Sequence, residues 1–275
     1  MPETAYAPGA PYSSAIPSTA QLIRDFLLVR PERHRYGPHR CQRADLYLPS
    51  GDGQFPVAVA IHGGYWRARY SKRLEKLVAV DLTRRGIAVW NIEYRRLGRG
   101  QGGGWPATFD DVAAAIDHLA ELRHPRLDLG CVSAFGHSAG GQLALWASAR
   151  KDAAVRIARV CGQAAVCDMA SAGNAARDLM GGGPDEVPER YAVGDPMQLV
   201  PLGVPILLVH GARDATVPVK RSRRFAQAAR SGGRRITIPS PASRPEHTIV
   251  MAPIRSSARV ALGQWKTSCV KLGAI

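Results

Sequence analysis

The sequence lacks the cysteine patterns that hold small secreted domains or metal sites together. Its 275 residues include five cysteines, which form no C-x-x-C pair and no spacing typical of a metal site. An odd number of cysteines without a secretory signal favours reduced thiols, mostly buried in strands. We therefore expect neither a disulfide framework nor a bound metal.

A leader pattern and a membrane span are also missing from the sequence. The N-terminus has no basic region followed by an apolar core, and no apolar run approaches the length of a membrane-spanning helix. The cytoplasm is therefore the expected compartment, and no membrane partner is expected. Residues 1–20 are rich in Pro, Ser and Ala with little hydrophobic pattern, which predicts a flexible N-terminal arm.

Positive charge, in contrast, is abundant. The formal net charge is +15, and the isoelectric point is near 10.2. Nucleic-acid-binding surfaces cluster their basic residues, often beside stacking aromatics. Here the basic residues are spread along the chain, and the densest group, Lys220 to Arg224, has no aromatic residue within it. We expect a solvated cationic surface and no nucleic-acid partner, although the excess charge could favour anionic substrates.

Strand and helix patterns alternate from residue 55 onward. The apolar run of residues 55–61 is typical of a parallel strand buried on both faces. Further strands are predicted at residues 25–29, 43–49, 87–94, 157–166, 204–209 and 235–238, and helices at residues 72–85, 105–123, 219–231 and 256–266, with a strand, a turn and the start of a helix within residues 131–145. This alternation predicts the α/β class, with a mostly parallel central sheet flanked by helices. The length fits a single domain over residues 21–275.

Residues 167–200 interrupt this alternation with glycines, prolines and short polar pieces. Long irregular segments inside compact domains are usually functional. We therefore expect a small insertion that forms a lid or cap over an active site.

The segment CVSAFGHSAGGQLAL at residues 131–145 has the pattern of a strand, a sharp turn and a helix. A nucleophile elbow requires this context, with a serine on a strained turn between small residues. Gly136 and Gly140 leave room on either side, so the pattern predicts that Ser138 presents its hydroxyl at the sheet edge. His137, just before the serine, is expected to support the turn or shape the substrate pocket.

A second segment, HGGYW at residues 62–66, follows the predicted strand at residues 55–61. In open α/β sheets, ligands bind at the carboxyl ends of the strands, so this segment and the elbow are expected at one site. Acyl transfer needs donors for a developing oxyanion. The candidates are the backbone N–H groups of Gly64, Tyr65 and Ala139, with Gly63 giving room for close approach. We expect His62 to hold the loop in place rather than to catalyse.

An unassisted serine hydroxyl is a poor nucleophile, so a base and an acid are also needed. Hydrolases of this architecture place the acid and then the histidine after the serine in chain order. Asp214 follows a predicted strand, and His247 is the only histidine after it. Asp168 and Asp195 remain alternative acids. His210, at a strand end like His62, is expected to be structural.

The paired motifs HGGYW and GHSAGG resemble those of the esterase, lipase and arylformamidase branch of the α/β-hydrolases, in particular the kynurenine formamidase group. The resemblance covers about residues 40–255 and implies the α/β-hydrolase fold. It implies a catalytic triad, which Ser138, Asp214 and His247 match. It also implies an oxyanion hole, which Gly64, Tyr65 and Ala139 match, and an aromatic pocket residue, which Trp66 matches. The family usually has Gly or Asp before the final histidine and Phe after it, whereas this chain reads Glu246-His247-Thr248.

These residues predict a serine hydrolase that cleaves a small carboxylic ester or an aryl formamide through an acyl-enzyme. The expected partner is a small-molecule substrate, and no metal or organic cofactor is implied. The sequence leaves the oligomeric state open, a homodimer included. The alternative hypothesis is a non-catalytic protein of this fold that binds a small ligand or a protein partner.

Overall fold

A computed structural model describes residue 24, residues 26–231 and the backbone of residues 236–237. Within these residues, eight strands form one sheet with the order β1-β2-β4-β3-β5-β6-β7-β8. The strands are β1 (Glu32–Arg35), β2 (Arg43–Tyr47), β3 (Phe55–Ile61), β4 (Ala88–Ile92), β5 (Leu127–His137), β6 (Arg159–Gln163), β7 (Ile206–Val209) and β8 (Ile236–Thr237). The predicted arm at residues 1–20 and helix at residues 256–266 lie outside the described residues.

The sheet is parallel from β4 to β8 and antiparallel at one edge. Strands β1, β2 and β4 pair antiparallel, and every later neighbour pairs parallel. The carboxyl ends of β3, β5, β6 and β7 therefore meet at one edge of the sheet. The segments that follow these four strands carry the candidate site residues other than His247.

Helices cover both faces of this sheet. They are α1 (Lys76–Arg84), α2 (Ala107–Leu122), α3 (Ala139–Ser148), α4 (Asn174–Met180), α5 (Pro188–Gly194) and α6 (Lys220–Ser231), with 3-10 turns at Lys72–Glu75 and Pro196–Gln198. Alternate residues of β3 point to opposite faces, so Val57, Val59 and Ile61 join the core with α2 and α3, while Ala58 and Ala60 pack with α1. Because both faces of this strand are buried, neither face carries polar side chains, which explains the continuous apolar run.

These elements confirm the predicted α/β fold with a mostly parallel sheet. The strand predicted at residues 25–29 is wrong, because Phe26, Leu27 and Leu28 are helical. Phe26 and Val29 are half-buried, whereas Leu27 and Leu28 are 60% and 67% exposed. Buried residues three positions apart lie on one face of a helix, and this spacing could not be recognised in so short an apolar run.

The insertion at residues 167–200 contains regular structure. It holds α4, α5 and the 3-10 turn Pro196–Gln198, and it buries Leu179, Met180 and Tyr191. The Nε1 atom of Trp146 on α3 donates to the carbonyl oxygen of Val193 at 3.0 Å. The insertion is thus packed on the rest of the domain. Its helices were not predicted, because its glycines and prolines interrupt the helical pattern in the sequence.

No helix in the described part of the chain combines the length and the apolar character needed to cross a membrane.

Candidate active site

Ser138 occupies a strained turn between β5 and α3. Its φ of 54° and ψ of −116° lie in a region that residues with a side chain rarely adopt. Its N–H donates to the carbonyl oxygen of Gln163 at 2.8 Å, and its own carbonyl accepts from the N–H of Val166 at 3.2 Å. Because both peptide groups are held by residues at the end of β6, the half-buried Ser138 is fixed at the carboxyl edge of the sheet.

Close backbone approach explains the glycines beside Ser138. A Cβ atom on Gly136 would overlap the carbonyl group of Gly140, and a Cβ atom on Gly140 would overlap the carbonyl oxygen of Ile61 and lie 2.6 Å from that of His62. Backbone atoms cannot rotate away as a side chain can. The elbow and the end of β3 therefore pack together only if residues 136 and 140 are glycine.

Replacing Gly140 with alanine should destabilise the domain, because the new methyl group would push the end of β3 away from the elbow. Overpacking of this kind costs about 1–3 kcal/mol or more, so the melting temperature should fall by roughly 5 °C or more. Gly130→Ala is the matched control in β5, where the nearest atom to a new Cβ is a carboxylate oxygen of Asp128 at 3.2 Å. Equal melting temperatures for the two variants would contradict the packing account.

The loop after β3 faces the elbow and offers free backbone donors. Gly64 and Tyr65 have φ values of 112° and 55°, which turn this segment sharply. Within the part of the chain that the structure describes, the N–H groups of Gly64, Tyr65 and Ala139 donate no hydrogen bond. A Cβ atom on Gly63 would overlap the carbonyl oxygen of His137, so the loop touches the elbow directly. The three predicted oxyanion donors thus lie on two segments in contact.

His62 holds this loop from beneath. Its buried ring hydrogen-bonds through Nδ1 to the carbonyl oxygen of Gly63 and through Nε2 to Oε1 of Glu93, both at 2.8 Å. The ring stacks on Tyr94 with centroids 4.4 Å apart, and the Tyr94 hydroxyl donates to the carbonyl oxygen of His62 at 2.7 Å. Neither ring nitrogen is free to serve a substrate. These contacts agree with the predicted structural role of His62.

Glu93, at the end of β4, is the acidic partner of His62. Burial alone would raise the pKa of this carboxyl, but the hydrogen bond and charge of His62, the charge of Arg96 and the N–H of Lys72 more than offset burial and hold the pKa below its usual range. The carboxylate is therefore charged, and it joins β4 to the loop that carries the free donors.

Trp66 is placed differently from its predicted pocket position. It is 2% exposed, and its Nε1 atom donates to Oε1 of Gln142 on α3 at 3.1 Å. The Gln142 amide in turn donates to the carbonyl oxygen of Gly194 at 3.0 Å. Trp66 therefore belongs to the core, where it joins the loop to α3 and the insertion, while Tyr65 is the exposed aromatic residue of the loop.

Asp214 lies in the loop after β7, in a tight turn. Its Oδ1 atom accepts from the N–H groups of Thr216 and Val217 at 2.8 and 2.9 Å. Its Oδ2 atom lies 3.5 Å from Nε2 of His210, and the side chain is 22% exposed. One oxygen is thus used by the turn, and the carboxylate remains accessible to a further partner.

His137 connects the elbow with this acidic loop. Burial lowers the pKa of His137, while the negative charge of Asp214 raises it and the neighbouring His210 lowers it further. Because β5 and β7 run parallel in one sheet, His137 at the end of β5 lies at the same edge of the sheet as the loop that carries His210 and Asp214. The half-buried His137 directly precedes Ser138, and its role in shaping the pocket stays a prediction.

The two alternative acids have structural contacts. Asp195 is fully buried, accepts from the N–H groups of Met169 and Met197 at 3.0 and 3.1 Å, and has its pKa raised by burial. Asp168 accepts from the N–H of Ser171 at 3.2 Å and lies 3.3 Å from Nη1 of Arg224. Asp195 holds the insertion together, and Asp168 anchors its first turn.

The described residues thus unite Ser138, the loop donors, His137 and Asp214 at one edge of the sheet. His247, the predicted base, lies outside them. Two partner residues were not predicted from the sequence: Glu93, which pairs with His62, and Gln142, which accepts from Trp66. Only Glu93 carried a signal, as an acidic residue at the end of an apolar strand.

The family model BD-FAE matches residues 44–229, which is more than half of the chain. The chain belongs to the BD-FAE family. This family has a domain of the α/β-hydrolase type, in agreement with the sheet order and the elbow. No curated protein was found to match the chain.

Among solved structures, this BD-FAE protein is similar to a bifunctional GH43-CE protein from Bacteroides eggerthii, with 25% identity and a TM-score of 0.67. The match covers 76% of this chain and 35% of that one, so the chain spans about a third of that protein's length. A truncated carbohydrate esterase from gut microbiota is 22% identical, with a TM-score of 0.66 and coverage of 76% and 87% of the two chains. An esterase from the Planctomycetes species Thermogutta terrifontis is 21% identical, with a TM-score of 0.63 and coverage of 76% and 80%. These likenesses establish a shared fold.

Proposed function

We propose that this BD-FAE protein is a serine hydrolase that cleaves a small carboxylic ester through an acyl-enzyme. The observation that carries the proposal is the strained Ser138, held by Gln163 and Val166 in an elbow that the loop of Gly64 and Tyr65 contacts, with the N–H groups of these two residues donating no hydrogen bond among the described residues. Strain of this kind persists where the surrounding structure enforces it, as it does at nucleophile elbows. A serine that only packs or caps a helix would not need this conformation.

In the proposed reaction, Oγ of Ser138 attacks the acyl carbon and His247 takes the hydroxyl proton. The carbonyl oxygen becomes negative and is stabilised by the N–H groups of Gly64, Tyr65 and Ala139. His247 then gives its proton to the departing alcohol, and an acyl-enzyme remains on Ser138. Water attacks this ester by the same steps and regenerates the serine. Asp214 orients His247 and stabilises its charged form.

The family and the similar structures support an ester as the substrate. The similar proteins include a carbohydrate esterase, an esterase and an acetyl ester-xyloside hydrolase. An aryl formamide is the second candidate, supported by the likeness of HGGYW and GHSAGG to the kynurenine formamidase motifs. With Trp66 in the core, Tyr65 is the aromatic residue of the loop that would contact an aryl group.

We further propose that the insertion at residues 167–200 forms one wall of the substrate pocket. Arg67, just after the loop donors, forms an ion pair with Asp178 on α4. The N–H of Trp105 donates to the carbonyl oxygen of Leu179 at 2.7 Å. These contacts support a cap that stands beside the loop of the oxyanion donors.

Assays with p-nitrophenyl acetate and N-formylkynurenine, run side by side on one preparation, test the proposed function. We expect turnover of the acetate ester, with kcat/KM at least about 10-fold above that for the formamide, since p-nitrophenolate is a far better leaving group than an arylamine. The wild type and Ser50→Ala, an exposed serine in a turn, should behave alike. Faster cleavage of the formamide would favour the second candidate, and cleavage of neither would favour the non-catalytic hypothesis.

A further inference from the structure

His210 and Ser222 form a buried polar pair behind the loop of Asp214. The Nδ1 atom of His210 lies 2.7 Å from the hydroxyl oxygen of Ser222, the third residue of α6. The Nε2 atom of His210 lies 2.6 Å from the carbonyl oxygen of Val217. The His210 side chain is 4% exposed, so its ring contacts protein on both edges.

These partners determine which ring nitrogen carries the proton. A carbonyl oxygen can only accept, so Nε2 carries a hydrogen and donates it to Val217. The hydroxyl of Ser222 can donate, and it supplies the proton that a neutral Nδ1 accepts. The Val217 carbonyl therefore requires the Nε2–H tautomer of His210, and Ser222 supports it by donating to Nδ1.

This tautomer acts on both sides of the Asp214 turn. The peptide groups flanking Val217 are held in opposite directions: its N–H donates to Oδ1 of Asp214 at 2.9 Å, and its carbonyl accepts from His210. The same Nε2–H group lies 3.5 Å from Oδ2 of Asp214. A hydrogen at this position attracts the carboxylate, whereas a bare nitrogen would repel it. His210 thus restrains the position of both carboxylate oxygens.

We propose that His210, supported as the Nε2–H tautomer by Ser222, is a positioning residue for the acid of the reaction, Asp214. The inference rests on the proposed function, since it assigns a role within that site. His210 touches neither substrate nor reacting atoms. It aligns Asp214 so that the carboxylate can meet the base, and its loss should lower the rate of the chemical step while substrate binding is retained.

Two substitutions of His210 separate positioning from packing. Glutamine places an amide nitrogen near the former Nε2 and can still donate to Val217, whereas asparagine reaches only the former Nδ1 position and keeps the contact with Ser222. We expect His210→Asn to lower kcat roughly 10- to 100-fold, the usual effect of losing a partner that orients a functional group, with KM within about threefold of wild type. We expect His210→Gln to recover kcat to within about fivefold of wild type.

Ser222→Ala provides a second route that leaves the ring in place. Without the hydroxyl, Nδ1 loses its donor and the ring keeps only the bond to Val217, so His210 is held less firmly and kcat should fall roughly 5- to 10-fold at unchanged KM. Ser148→Ala is the matched control, because Ser148 is also buried on a helix but donates only within α3, to the carbonyl oxygen of Leu145. Each kcat is calculated per site that reacts with a fluorophosphonate, so that unfolded protein does not lower the measured value.

The expected pattern is a loss of kcat in His210→Asn and Ser222→Ala, with recovery in His210→Gln and no change in Ser148→Ala. Equal kcat per reactive site in His210→Asn and His210→Gln, or a wild-type kcat in Ser222→Ala, would overturn the positioning role while the hydrolase assignment stands. A wild-type protein without turnover would overturn the proposed function, and the positioning role with it.

Discussion

Ser138→Ala is expected to lower kcat for p-nitrophenyl acetate by roughly 10⁴- to 10⁶-fold, because the variant lacks the hydroxyl on which the proposed acyl-enzyme forms. The residual rate would come from the oxyanion donors and substrate binding alone. KM should change little, since the hydroxyl contributes mainly to the transition state. Alanine also fits the elbow sterically, so the melting temperature should stay within a few degrees of wild type.

The control for this prediction is Ser50→Ala, which removes a serine hydroxyl from an exposed turn. Steady-state rates of the two variants, measured at the same protein concentration, decide the result. A Ser138→Ala protein that keeps more than about a tenth of wild-type kcat would show that another nucleophile acts, since removal of a nucleophile costs far more than tenfold.

Asp214→Asn should give the second largest loss, about 10⁴-fold in kcat. The amide oxygen of asparagine can still accept from the N–H groups of Thr216 and Val217, so the turn should keep its shape. Its amide nitrogen would then replace Oδ2 and point N–H groups toward His210 and the base. A donor in place of the carboxylate cannot orient an imidazole N–H or stabilise its positive charge.

Asp168→Asn is the comparison for this variant, because the sequence offers Asp168 as an alternative acid and it follows β6 at the same edge of the sheet. It contacts Ser171 and Arg224, so its replacement should leave kcat within about threefold of wild type while lowering stability slightly. The reverse order of activities, with Asp168→Asn inactive and Asp214→Asn active, would transfer the role of the acid to Asp168.

The sheet and the elbow were predictable because their sequence signals are local. An apolar run such as Phe55–Ile61, rich in β-branched residues and followed by glycines, favours a strand buried on both faces. The glycines at positions 136 and 140 reflect a backbone contact that tolerates no Cβ atom, and their spacing around Ser138 is visible without knowledge of the fold. Where the physical requirement for an element involves only residues close together in the sequence, that element can be predicted from the sequence.

Trp66 shows where such signals end. The loop sequence is compatible with an indole turned outward to a substrate or inward to the core, and the choice depends on Gln142, which lies 76 residues further along the chain. The pairs of His62 with Glu93 and of His210 with Ser222 depend in the same way on contacts between separate elements. The sequence suggested that both histidines are structural, but it could not name their partners.

The insertion illustrates a third limit. Glycines and prolines suggested an irregular segment at residues 167–200, yet two seven-residue helices form there because α3 and the fully buried Asp195 supply hydrogen bonds and packing. Helices this short have little stability of their own, so their formation depends on tertiary contacts. Local propensity therefore carries little information about this segment.

Covalent labelling tests the central claim, that Ser138 is an activated nucleophile, most directly. The wild-type protein is incubated with a fluorophosphonate, its intact mass is measured, and the modified peptide is identified. We expect one adduct per chain, on Ser138, with labelling lost in Ser138→Ala and retained in Ser50→Ala. An unlabelled wild-type protein, or an adduct on another residue that persists in Ser138→Ala, would contradict the claim.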